Sequence, residues 1–474
     1  MSQSPFITEV LTDLKQQYVE LVDDAKAFYQ EYDTLYGLYA KEVARIEEIN
    51  LQVATIQAYK KEHGVYPQIK DQPNAESYLT ELMEIKDKAE HNLRTLEPSV
   101  IEGFQRRRKH IQAISDAIIE HVVKEKDLNK FLTTIMLRAP LEQDHTRCAN
   151  NEKTKPLYVA AMAGKFLMQL ADNGLIEDDF ILARVPKWVS NKDNPKQQEL
   201  DPEMLEDFKV YVLQPVVQAA LIHNIGSYSI EAERVYCGNR YRALDEPDRK
   251  ELVRFIYDNT LNYLKYGLGD PAVKPDPNLS EEEQELEQES YRLLQTFLAN
   301  YSKALHPLGN VVRIPMIYSS FMLSTKANHN FLILFKAYDI LSSGISKAVI
   351  HADYAKAFKK MVGRYPLGTG IFFISKETHV PERAVVIGLN PSTPHCAIVK
   401  QLTRRQLQFD DHTQVQVSAD FNLANEAARK ASDFGPKYYK KQFPRGFFWN
   451  PAELWERDID QQRFWRRDNQ LKEN

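Results

Sequence analysis

Leu157-Tyr-Val-Ala-Ala-Met-Ala-Gly-Lys-Phe-Leu-Met-Gln-Leu170 carries one charged side chain in fourteen residues. A segment that is apolar all round suits a helix enclosed by protein rather than one lying on a surface. Pro156 stands just ahead of it, where a helix tolerates a residue with no N–H. The run falls short of the ~18 apolar residues that identify a membrane span, and no longer run occurs in the sequence. A second apolar segment, from Phe208 to Ile225, adds Val210, Val212, Val216, Val217, Ala220 and Leu221 to the same expected core. Two such helices predict a mainly α fold.

Upstream, apolar residues step by three and four through Ile7, Leu11, Leu14, Tyr18, Leu21, Ala25, Phe28, Tyr32 and Leu35, with Ser4-Pro5 as N-cap and first turn. The register slips there, and the stripe resumes at Tyr39, Val43, Ile46, Val53 and Ile56. Gly64, Pro67 and Pro73 break it. Further helices are expected at about 75–96 and 100–137, so that this region forms an antiparallel hairpin or a dimerising coiled-coil arm. Beyond the core pair, polar connectors are expected at 186–203 and 268–288. Helices are expected to end near Gly267 and to run over about 289–305, 318–343 and 351–362, with His351 and Asp353 at a helix start. The pattern then changes to short β-branched runs: Ile371-Phe-Phe-Ile, Ala384-Val-Val-Ile-Gly, Ala397-Ile-Val and Val415-Gln-Val. These predict a small antiparallel β unit. The aromatic tail, with Phe447, Phe448, Trp449, Trp455 and Trp465, is expected to dock on its own domain or on a partner.

The chain has 474 residues, 43% hydrophobic and 27% charged, which fits two or three globular units rather than disorder. A formal net charge of −5 gives no global attraction to nucleic acid or to an anionic membrane. The basic run Arg106–Lys109 reads as a solvated helix face rather than a phosphate patch. Cys148, Cys237 and Cys396 lie far apart with no CxxC spacing, as in a reducing compartment, and the N-terminus has no signal-peptide pattern. A cytoplasmic location is expected. Walker A, GxSxG, HExxH and dinucleotide fingerprints are all missing from the sequence.

His223-Asn224-Ile225-Gly226, at the end of an apolar helix, resembles the HDIGK signature of the HD and HD-GYP phosphohydrolases, bacterial enzymes of cyclic di-GMP signalling. Segments on both sides keep the family's order: the helix at 157–170, the stretch Lys250 to Leu264, and Phe331 to Ser343. The closest likeness is Tyr365-Pro-Leu-Gly-Thr369 with Ala384 to Pro391 and Ala397 to Lys400, which resembles the family's C-terminal β extension. The resemblance covers about residues 150–405. It implies a degenerate HD-GYP-like helical domain at 150–363 and a β unit at 364–418; outside it stand the helical/coiled-coil region at 1–140, read from its periodicity, and a polar, aromatic-containing tail at 419–474.

In that family, His and Asp side chains hold two or three iron or manganese ions that activate water and neutralise the scissile phosphodiester. Here Asn224 stands at the bridging Asp, Asn259 near the next His, and Lys336 at the last Asp. Lys155 or Pro156 falls at the early His, and His306 near the paired His segment. An amide keeps the shape of a carboxylate but not its charge, and an ammonium repels a divalent cation. The expectation is therefore a non-catalytic core with no metal and no cofactor. The chain would act as a signalling or scaffold protein, with a protein partner or a second copy bound through the N-terminal helices. A cyclic dinucleotide could be retained, its phosphates met by Lys336 with Arg254 and Arg313. The alternative is an active phosphodiesterase on cyclic di-GMP, with iron or manganese held by His223, His306, His329 and Asp339.

Overall fold

The computed structural model describes residues 6–69, 74–141, 145–190, 198–273, 275–327, 329–402, 409–457 and 463–465. It is mainly helical, with a small antiparallel sheet near the C-terminus. Among the described residues no helix is long and apolar enough to cross a membrane.

The first stripe forms the helix Ile7–Glu31, which buries Leu11, Leu14, Tyr18, Leu21, Ala25 and Phe28. Its register slips because Tyr32–Tyr36 is a single π-helical turn, whose extra residue rotates the apolar face before Gly37–His63 continues. That second stretch ends at Gly64, whose φ of 74° closes the last turn. It packs against a 48-residue helix, Ala75–Val122, through Ile49, Ile56 and Leu82, so the hairpin is the form observed.

Ala75–Val122 runs straight through Pro98, where a break was expected. A mid-helix proline costs about 3 kcal/mol. Val100, Phe104, Ile111, Ile114, Ile118 and Val122 are all buried just beyond it, and each contributes about 1.5–3 kcal/mol. Burial wins. The same balance carries the central helix, His145–Asp172, through Pro156, so that residue lies inside the helix rather than at its start. The basic run is solvated at Arg106 and Lys109 but not at Arg107 and Arg108, which turn inward. Arg107 is 1% exposed and donates to Asp24 (2.7 Å), to the Tyr36 hydroxyl (3.0 Å) and to the Gly267 carbonyl (3.2 Å). Arg106 meets the same Asp24 (2.7 Å), and Arg108 donates to the Leu268 carbonyl (2.7 Å).

From Pro156 to Leu170 the central helix is enclosed by Ala75–Val122, Gln214–Ile222, Pro307–Met322 and Ala352–Val362. Gly164 lets two of them approach: a Cβ there would lie 3.2 Å from both Val122 and Val217. The single helix expected at 318–343 is instead divided. Pro307–Met322 stops, a 3-10 stretch Phe331–Lys336 follows, and Ala337–Ser346 resumes. The Asn330 side chain accepts from the Leu332 amide (2.9 Å), and that local cap starts the new turn.

All four β-branched runs are strands, Gly370–Ile374, Pro381–Gly388, Ala397–Leu402 and Phe409–Val417, each antiparallel to the next. The tail supplies a fifth: Phe448–Trp449 pairs beyond Gly370–Ile374, with Ile371 opposite Phe448. Trp465 Nε1 donates to Thr134 Oγ1 (2.9 Å), so the tail also docks on the helix Glu125–Leu137. The side chain of Trp455 lies outside the described residues. One hydrophobic core runs from Leu11 through the helices to Val417 in the sheet.

Candidate functional site

The sequence marks one centre, around His223. The helix Gln214–Ile222 ends there, and Ile225–Tyr228 turns back as a 3-10 stretch. Gly226 is required by the close approach of the helix Glu246–Asn262: a Cβ would sit 2.2 Å from the Ile256 carbonyl oxygen. Its amide donates to Thr260 Oγ1 at 3.1 Å.

His223 is 5% exposed, and its Nδ1 lies 2.7 Å from the Ala220 carbonyl oxygen. A carbonyl only accepts, so Nδ1 carries the proton and Nε2 the lone pair. Burial pushes the imidazole pKa down to about 4, the Ala220 bond opposes this, and the Lys155 ammonium lowers it further. Lys155 Nζ donates to Ser320 Oγ (2.9 Å), and its pKa is itself pushed down to about 8 by desolvation and then by Lys326. Lys326 donates to the Arg242 carbonyl (3.1 Å) and is lowered by burial, then by Arg249. Nearby, Glu152 is committed to Arg240 (2.8 Å) and the Tyr241 hydroxyl (2.7 Å). The centre is therefore cationic, built from an imidazole held neutral and two lysines that repel each other. Lys326 carried no signal in the sequence, because only folding brings it beside Lys155.

The other marked residues have separate partners. Asn224 Nδ2 donates to Ser227 Oγ (3.2 Å), and Asn259 Nδ2 to Glu231 (3.3 Å). His306 is an N-cap whose Nδ1 accepts from the Gly309 amide (3.2 Å). Arg313 donates to the carbonyls of Tyr301 (3.1 Å), Ser302 (3.1 Å) and Val349 (3.2 Å). Arg254 is exposed over the Phe255 ring, Lys336 is exposed at the end of its 3-10 stretch, and Asp339 is ion-paired with Arg364. His351 caps Ala352–Val362, as read from the sequence. Among the described residues no three His, Cys, Asp or Glu side chains converge so as to hold a metal ion.

A second centre lies elsewhere, at the junction of helices, sheet and tail. A cavity of about 560 Å³ opens there, within the range of small-molecule sites. Its lining comes from residues within 136–141, 147–151, 329–334, 368–372 and 442–453, with Met322. His329, one member of the alternative metal set, belongs to this wall, where burial and then Arg147 push its pKa down to about 4. Arg147 donates to the Ser324 carbonyl (2.6 Å) and to that of Lys326, and Asn151 Nδ2 also donates to Ser324 (2.9 Å).

No protein-family model, curated protein or solved structure matches the chain. The HD-GYP resemblance rests on the motifs of the chain itself.

Proposed function

We propose that this chain is a non-catalytic signalling or scaffold protein on an HD-GYP-like helical frame, which recognises a phosphate-bearing ligand such as a cyclic dinucleotide without hydrolysing it. One observation carries the reading: beside the buried His223 stands the Lys155 ammonium, with Lys326 next to it. Positive charge at that point opposes a divalent cation and favours a phosphate oxygen. Lys155 and Lys326 take the role first given to Lys336, Arg254 and Arg313. The scaffold half rests on the long hairpin of Gly37–His63 and Ala75–Val122, an extended pair of helices for a partner or a second copy to lie along.

The test is calorimetric titration of cyclic di-GMP into the purified chain, beside elemental analysis and a phosphodiesterase assay with added manganese. Binding that weakens at least tenfold in Lys155→Met, with no hydrolysis, is the expected result. One or two tightly held iron or manganese equivalents, with turnover of cyclic di-GMP, would establish the active phosphodiesterase instead. Absence of cyclic di-GMP binding would remove the ligand half and leave the scaffold half to light scattering and cross-linking.

A further inference from the structure

The cavity at the junction is built rather than left over. Trp449 Nε1 donates to the Ile371 carbonyl (3.2 Å), which fixes the indole against the sheet edge. Gly370 makes room for it, since a Cβ there would lie 2.4 Å from the indole ring. Phe448 stacks on Phe335 at 3.7 Å, and Phe443 meets Phe372 edge-on at 4.8 Å. The walls are thus locked by ring contacts before any ligand arrives. A preformed apolar pocket with few, placed polar groups is the usual form of a small-molecule site.

Charge sets the ligand class. Two arginines, Arg147 and Arg445, and one glutamate, Glu453, line the cavity, and their formal sum is positive by one. Arg147 belongs to the buried floor at 4% exposure, whereas Arg445 is exposed and, among the described residues, has no acidic partner. Leu332, 46% exposed, also borders the space.

We propose that this cavity is a binding site for an amphiphilic organic anion, its apolar body against Phe331, Phe443 and Trp449 and its acid group at Arg445. The site is separate from the His223 centre and does not depend on it. A carboxylate or sulfonate at the rim gains a charge-assisted bond while the apolar body leaves water. His329, neutral at physiological pH, adds no competing charge and can donate one N–H.

The test uses 8-anilinonaphthalene-1-sulfonate, whose fluorescence reports binding, with dodecanoate and dodecanol as competitors. Saturable binding of one probe per chain is expected, displaced by dodecanoate at least tenfold better than by dodecanol. Arg445→Glu, at an exposed position, is expected to erase that preference. Leu332→Trp, which fills the cavity, is expected to cut probe affinity at least tenfold with an unchanged melting temperature. Non-saturable binding, or affinity unaltered in both variants, overturns the site. Equal displacement by acid and alcohol overturns the anionic class.

Discussion

The His223 centre and the junction cavity are opposites in construction. The first is dense: Gly226 lies too near the Ile256 carbonyl for any side chain, and His223 is closed in by its own helix turn. The second is open, about 560 Å³ lined by distant segments, three of which supply rings. The dense centre belongs to the helical core: His223 is held by its own helix turn, and Lys155 and Lys326 by Ser320 and the Arg242 carbonyl from elsewhere in that core. The open one depends on a two-residue strand of the tail. Motif and cavity do not coincide in this molecule.

Substitutions can break this contrast. The largest effect is expected from Gly226→Ala, where the new methyl must displace backbone of the helix Glu246–Asn262; a loss of about 3 kcal/mol in urea unfolding follows from overpacking. Trp449→Ala is expected to cost about 2 kcal/mol, less than for a fully buried indole, and to leave helical circular dichroism intact while amides of Gly370–Ile374 lose exchange protection. If it unfolds the helices as well, the two centres are one cooperative unit.

A pH series sharpens the comparison. His223 binds its proton more weakly when folded, so the unfolded chain takes up more protons between pH 6.5 and about 4. Its contribution, about 3 kcal/mol, is present above pH 6.5 and lost as pH falls through that window. His329 shifts in the same direction, but it is only half-buried and solvent screening makes its share smaller. Lys155 has the same sign higher up, so stability gains from it as pH rises from about 8 to 10.5, and Lys155→Met removes that rise. Imidazole nitrogen shifts in NMR report the first window directly, with His223 expected as the Nδ1–H tautomer at pH 7. The smallest effect belongs to Lys336→Ala, an exposed side chain outside both centres, expected within about 0.5 kcal/mol of the parent.

Much of the frame was legible because periodicity reports burial. The stripe through Leu11, Leu14, Tyr18 and Leu21 became a buried helix face, and the four β-branched runs became strands. Pro98 and Pro156 misled because a proline is a local signal, and the burial that outweighs it is tertiary. Phe448–Trp449 gave no strand signal, since two aromatic residues show no alternation. At the candidate site, His223, Asn224 and Lys155 could be named from the motif. Their partners could not: Lys326 is more than 150 positions from Lys155, about the length of a typical domain. Arg107 looked solvated because a charge run says nothing about an Asp24 arriving from another helix.

The last strand of the sheet also sets an order of assembly. Phe448–Trp449 is translated about 78 residues after Gly370 begins the strand it covers, roughly 4 to 16 s at ordinary ribosomal rates. Phe421–Leu423, translated earlier, covers the Phe372–Ile374 half of that edge, with Ile374 N donating to the Phe421 carbonyl (2.8 Å) and Leu423 N to the Phe372 carbonyl (2.9 Å); what stays open until Phe448–Trp449 arrives is the Gly370–Ile371 end, a short template for other chains. A message truncated before codon 448 would leave that Gly370–Ile371 end uncovered for good, so nascent-chain quality control has more at stake in the last stretch of this protein than its modest share of the core implies.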